Sequence, residues 1–272
     1  MNTKTWISTS AKTLADAGIA TARLDALVLL CDALGRDKAW VLANPEHELS
    51  RSTEVELNTK IVQRAKHVPL AYIRGKAEFY GREFVISPHT LVPRPETETM
   101  IELLKQLNIN NNKKYLIVDI GTGSGAIAIT AKLEHPDYEV IATDIDEKCL
   151  QTARTNAQKL GADITLVHGN LLEPLTINQP STILLCNLPY VPDNFQINRA
   201  ATHEPRHALF GGIDGLDLYR ELFAQIDRLP SHPSYVLTES LPPQHEVLAK
   251  IAQSGGYSLL KSEDFIQVFT DR

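Results

Sequence analysis

Apolar positions follow two different rhythms along the chain. Over residues 3 to about 68 they recur at helical spacing: Trp6, Ile7, Leu14 and Ala15, then Leu24, Leu27, Leu30 and Leu34, then Leu57, Ile61 and Val62. Gly18 and Gly35 are placed to stop the first two helices, Thr21 to cap the second, and Thr53 with Glu56 has capping-box spacing ahead of the third run. Further on the apolar residues gather into short unbroken runs at residues 115–120, 140–143, 164–167, 182–186, 235–237 and 266–269. Such runs read as strands buried on both faces, which is the pattern of a parallel sheet covered by helices. Leu216, Tyr219, Leu222, Phe223 and Ile226 form the apolar stripe of an amphipathic helix, and residues 97–104 open another. Between the two zones, residues 79–86 read as a hairpin turning near Gly81. The expectation is an α/β protein: a helical domain over residues 1–75, a hairpin linker over 76–98, and a sheet domain over 99–272.

Composition narrows this only a little. With 43% hydrophobic and 22% charged residues in a chain of 272, there is enough apolar material for a real core. No apolar run has the length of a membrane span, and residues 1–11 carry no signal-peptide pattern, so a cytoplasmic protein off the membrane is expected. Cys31, Cys149 and Cys186 are scattered, which fits neither a disulfide framework nor a metal site, and the histidines lack ligand spacing; no metal is expected. The net charge of −6 argues against broad binding to nucleic-acid phosphates.

Chemistry gathers where strands end, the place at which open α/β sheets bind ligands. The run ending at Ile120 is followed by Gly121-Thr122-Gly123-Ser124-Gly125, and a helix opens at Ala126. Glycines there let a ligand approach the backbone. The second run ends in Asp144, an acceptor for a ribose diol. Gly121, Gly123 and Ala126 also satisfy a dinucleotide fingerprint, but Asp119 before the loop suits a cationic ligand better than a pyrophosphate. The fourth run ends in Asn187-Leu188-Pro189-Tyr190. The Asn187 side chain and the Leu188 carbonyl can grip both hydrogens of a planar amino group, with Pro189 stiffening the backbone and the Tyr190 ring lying against that group. An ordinary strand-to-loop turn is the simpler alternative for this stretch alone. Ahead of the sheet, Val92-Pro93-Arg94-Pro95-Glu96-Thr97-Glu98 is either a rigid linker or an approach to the cleft from its side; Arg94 and Thr97 are counted with the cofactor-binding set. Residues 193–215 make a long polar loop that can cover the substrate.

Asp119 to Gly125, Asp144 and Asn187 to Tyr190 together resemble the class I S-adenosylmethionine-dependent amino methyltransferases. More narrowly, residues 69–75, Phe79-Tyr80-Gly81, residues 92–98, Glu204-Pro205, Ala208-Leu209 and Gly215-Leu216 are similar to the bacterial peptide-chain release factor glutamine methyltransferases. The resemblance covers nearly the whole chain. It implies a seven-stranded Rossmann-like class I methyltransferase domain with a small helical N-terminal domain. It implies transfer of a methyl group from S-adenosyl-L-methionine, leaving S-adenosyl-L-homocysteine, to the side-chain amide nitrogen of the glutamine in the Gly-Gly-Gln loop of translation release factors. It also implies that Asn170 and Leu171 flank the adenine. Release factors would be the partners, with no stable nucleic acid, and the enzyme is expected to be a monomer. Leu188 stands where the family has the first proline of Asn-Pro-Pro-Tyr; its carbonyl is retained, so a proline there is expected to be tolerated. Other readings are a glutamine methyltransferase of ribosomal protein, a nucleic-acid amino methyltransferase, and a non-catalytic binding protein of the same fold.

Overall fold

The computed structural model describes residues 1–107, 114–179 and 181–272. The chain forms two compact units: residues 1–75 together with 197–203, and residues 76–196 together with 204–272.

The first unit is helical, with α1 (Thr3–Asp16), α2 (Ala22–Leu34), α3 (Lys38–Ala43), α4 (Arg51–Ala65) and α5 (Leu70–Arg74). Trp6, Leu14, Leu29, Leu30 and Leu57 are buried at its centre. The Trp6 indole finds a partner in Asn58 Oδ1 at 3.0 Å, and Arg64 pairs with Asp25 inside the unit at 2.7 Å. The start of α4 lies three residues before the expected one. Ser50 is its cap, accepting from the Thr53 amide, so Thr53 occupies the third position and Val62 is left exposed. Leu24 is also exposed, since α2 is apolar on several sides and buries only part of its circumference.

The second unit begins with a hairpin of β1 (Lys76–Phe79) and β2 (Arg82–Val85), turning at Tyr80 and Gly81, both with positive φ. Such a pair of left-handed residues matches the twist of the flanking strands. The hairpin is fixed to the sheet domain: Asn156 of α8 (Glu147–Leu160) exchanges hydrogen bonds with the Val85 backbone. The single-turn helix Pro95–Thr97 runs into α6 (Glu98–Gln106). A seven-stranded sheet follows, made of β3 (Leu116–Ile120), β4 (Glu139–Asp144), β5 (Thr165–His168), β6 (Thr182–Cys186), β7 (Tyr235–Glu239), β8 (Tyr257–Glu263) and β9 (Ile266–Asp271). Its order is β5-β4-β3-β6-β7-β9-β8, parallel except for β9 and its pairings. Helices α7 (Ala126–Glu134), α9 (Asp217–Ile226) and α10 (His245–Ser254) complete the layers with α6 and α8. Sequence reading leaves out β8, an edge strand whose outward residues, including Leu259 and Leu260, are exposed and carry no buried run.

The chain steps from β3 through β4 to β5 on one side and then returns to place β6 on the other. The order therefore reverses between β3 and β6, and a crevice opens beyond their carboxyl ends.

Candidate active site

Register alone brings the expected residues together. Ile120 is paired with Thr143 on one side and with Cys186 on the other. The residues that follow, Gly121, Asp144 and Asn187, therefore emerge side by side at one edge of the sheet. They line a cleft with about 770 Å³ of empty space, in the range of ~300–1,000 Å³ usual for ligand sites. Arg94, Thr97, Thr122, Gly123 and Ser124 line it too.

The glycine loop is held from below by two acids. Asp119 is buried; its Oδ2 accepts from the Thr122 hydroxyl at 2.6 Å and from the Ala128 amide at 3.1 Å. Its Oδ1 is buried without a partner, and burial, with a smaller contribution from nearby Asp144, pushes its pKa up to about 7. Asp119 thus supports the loop from beneath it and does not line the cleft. Asp144 lines the cleft; its Oδ2 accepts from the Gly123 amide at 2.8 Å and its Oδ1 from the Asp146 amide at 2.9 Å. Burial raises its pKa, and the two backbone donors oppose that. Gly125 is the left-handed residue that starts α7 and packs on Ala153.

The Asn187 side chain donates from Nδ2 to Thr97 Oγ1 at 3.1 Å. Leu188 turns inward: its side chain is 2% exposed, and its amide donates to the Tyr219 hydroxyl at 3.4 Å. Pro189 and Tyr190 stand outside the residues that line this cleft. Tyr190 is half-buried and its hydroxyl donates to Glu239 Oε1 at 2.9 Å. Asn170 and Leu171 also lie away from the lining: Asn170 donates to Glu221 at 2.6 Å, and Leu171 is buried, its carbonyl accepting from Thr143. Arg94 reaches Glu204, whose two oxygens accept from its guanidinium at 2.6 Å and from the Val92 amide at 3.2 Å.

Phe79, His89, Leu91, Pro93, Ile145, Cys149, His207 and Ala208 complete the lining and were not among the expected site residues. Ile145 directly follows Asp144, a placement that sequence could have offered. His207 and Ala208 come from the long loop after Tyr190, where length was the only signal. Cys149 donates its thiol to the His89 carbonyl at 3.2 Å, and burial pushes that thiol well up.

The lining suits a ligand of mixed character. Asp144 offers carboxylate oxygens, and Phe79, Leu91, Pro93 and Ile145 offer apolar wall. At Gly123 an added Cβ would meet only open space, so a ligand can lie directly on that backbone. A nucleoside carrying a charged amino-acid tail, as in S-adenosylmethionine, fits this donor set.

Residues 5–75 match the PrmC N-terminal domain, and residues 97–205 match the methyltransferase small domain. The release factor glutamine methyltransferase of Enterococcus faecalis is 40% identical over 191 residues, spanning 69% of this chain and 68% of that protein. The release factor glutamine methyltransferase of Coxiella burnetii is 34% identical over 238 residues, spanning 87% and 85%. Among solved structures, the hMettl16 catalytic domain in complex with MAT2A 3'UTR hairpin 1 superposes with a TM-score of 0.53 at 14% identity, covering 83% of this chain and 82% of that one. The T. thermophilus 16S rRNA N2 G1207 methyltransferase in complex with AdoMet and guanosine gives 0.50 at 16% identity, covering 72% and 49%. These two likenesses speak to the fold alone.

Proposed function

The chain belongs to the release factor glutamine methyltransferase family, and on that premise we propose that it methylates the side-chain amide nitrogen of the glutamine in the Gly-Gly-Gln loop of a release factor. S-adenosylmethionine supplies the methyl on a sulfonium that departs as a neutral thioether. The glycine loop and Asp144 hold that cofactor, Asp144 through its ribose hydroxyls and Gly121 to Gly123 through close backbone approach.

An amide nitrogen is a poor nucleophile because its lone pair is delocalised into the carbonyl. The chain's contribution is therefore orientation and electrostatics. Asn187 Oδ1 and the Leu188 carbonyl accept the two N–H bonds of the substrate amide and favour positive charge as it grows on nitrogen. Pro189 and Tyr190 hold the backbone that presents them. Such positioning contributes several kcal/mol to the barrier, on the order of that seen for well-oriented reactants. After transfer, one proton leaves the nitrogen to solvent and the neutral N-methyl amide remains. The helical unit docks the release factor, the enzyme acts as a cytoplasmic monomer, and the apolar cleft wall shields the reacting atoms from water.

The single observation that carries this reading is the register of β3, β4 and β6, which sets Asn187 beside the glycine loop and Asp144 in one cleft. The test is incubation with labelled S-adenosylmethionine and one of release factor, ribosomal protein or RNA. Label is expected in the release factor alone, and lost when its Gly-Gly-Gln glutamine is changed to alanine. Label in ribosomal protein or RNA, with none in release factor, would overturn the reading.

A further inference from the structure

Thr97 lies on the single-turn helix before α6, on a backbone set by Pro93 and Pro95, and is 3% exposed. Its hydroxyl sits between two groups of opposite demand. On one side the Asn187 amide presents Nδ2 at 3.1 Å. On the other is the buried Glu239 carboxyl at the end of β7, toward which the Thr97 hydroxyl acts as a hydrogen-bond donor. An ionised carboxylate only accepts, so the single proton of Thr97 is committed to Glu239. What remains on Oγ1 is a lone pair, and only the NH₂ end of Asn187 can use it. The two ends of an amide point apart. Fixing Nδ2 on Thr97 therefore turns Oδ1 the other way, as an acceptor on the cleft that Asn187 lines. The same Glu239 takes the Tyr190 hydroxyl on Oε1 at 2.9 Å, so one buried side chain steadies both ends of the Asn187–Tyr190 stretch.

We propose that Thr97 is a positioning residue and not a cofactor ligand: backed by Glu239, it locks the Asn187 amide in the orientation that accepts from the substrate. This rests on the reading that Asn187 grips the glutamine amide. A hydroxyl that merely filled space would be replaced by a methyl without consequence for the amide's sense.

The experiment compares Thr97→Val and Thr97→Ser with the unaltered protein in three measurements. In methylation of release factor, Thr97→Val lowers kcat about tenfold, the scale of one lost hydrogen bond, and Thr97→Ser restores it to within about threefold. In calorimetry, the Kd for S-adenosylmethionine changes by less than about threefold in either variant, because the cofactor does not depend on this hydroxyl. By NMR of the protein alone, the Asn187 side-chain NH₂ has one proton protected from exchange in the unaltered protein and in Thr97→Ser, and loses that protection in Thr97→Val. An unchanged kcat in Thr97→Val overturns the proposal. So does cofactor binding that weakens in step with kcat, or an Asn187 NH₂ that does not respond. If the unaltered protein transfers no methyl to release factor, the functional reading falls, and the NH₂ protection still decides the orientation of Asn187.

Discussion

The loop after the Asn187–Tyr190 stretch is packed on that stretch so closely that one methyl group should disturb both stability and turnover. Gly215 has φ +80°, and a Cβ built on it would lie under 3.0 Å from the Tyr190 carbonyl oxygen and 2.5 Å from Gln244 Nε2. Gln244 donates from that same nitrogen to the Tyr190 and Asp214 carbonyls, each at 2.7 Å, so the added carbon strikes the contact that fixes Tyr190. Gly215→Ala therefore carries two penalties. A left-handed non-glycine residue costs ~1–2 kcal/mol, and overpacking against fixed backbone adds ~1–3 kcal/mol. Gly161, the left-handed residue that ends α8, supplies the control: its φ is +70° and a Cβ there meets nothing within 4 Å. Gly161→Ala should pay the first penalty alone. The difference between the two, ~1–3 kcal/mol, corresponds to about 2–12 °C in Tm for a unit of this size. The assay is thermal melting of both variants beside the unaltered protein, with kcat measured on release factor at saturating cofactor. Because the displacement falls on the backbone next to Asn187, kcat of Gly215→Ala should drop by ~10²-fold, as displacements near 1 Å do, while Gly161→Ala keeps its rate. Equal melting temperatures, or a Gly215→Ala enzyme of full rate, would refute the claim that this turn braces the site.

Three further outcomes are expected. Asn187→Ala should lower kcat by ~10²–10³ with cofactor affinity retained, the scale for removing one preorganised polar contact, and Asn187→Asp, which keeps an acceptor, should lose less; equal rates for all three forms would remove Asn187 from the mechanism. Leu188→Pro is destabilising in this structure, contrary to expectation from sequence, because it deletes the amide that donates to Tyr219 and part of a side chain that is 2% exposed; urea unfolding should show a loss of ~1–3 kcal/mol. Asp119 has a pKa raised from 3.8 to about 7, so its stabilising contribution is complete below pH 4 and is lost as pH rises through 7. Asp119→Asn should flatten the fall in unfolding free energy between those limits, by up to about 4 kcal/mol when each pH unit of that interval carries ~1.4 kcal/mol; an unaltered slope would mean that Asp119 ionises as easily folded as unfolded.

The architecture was legible where one physical rule acts on neighbouring residues. Buried parallel strands must be apolar, so β3, β4 and β6 announced themselves, and the residues at their carboxyl ends were the right ones to single out. β8 was not legible, because an edge strand with exposed residues has no such rule to obey. The cap of α4 was placed three residues late because Ser50 and Thr53 satisfy the same chemical demand, and only backbone geometry chooses between them. Pattern reading also favoured Tyr219 as core, and it is fully buried. What the pattern omits is its hydroxyl, which accepts from the Leu188 amide and donates toward the Cys186 and Glu239 carbonyls.

That omission points to how the cleft is built. The residues facing it come from strand ends and adjoining loops, and local sequence names most of them. The residues that hold them in place, Tyr219, Glu239 and Gln244, lie 31 to 54 positions further along the chain from the groups they hold. Each supplies a buried polar group with a partner, and an unpartnered one there would cost ~1–3 kcal/mol. Leu188 shows why this matters. With a leucine in place of proline, the stretch has one fewer fixed backbone angle and one more amide to satisfy. Tyr219 accepts that amide and Gln244 grips the Tyr190 carbonyl, so hydrogen bonds from later in the chain supply rigidity that a second proline would have supplied locally.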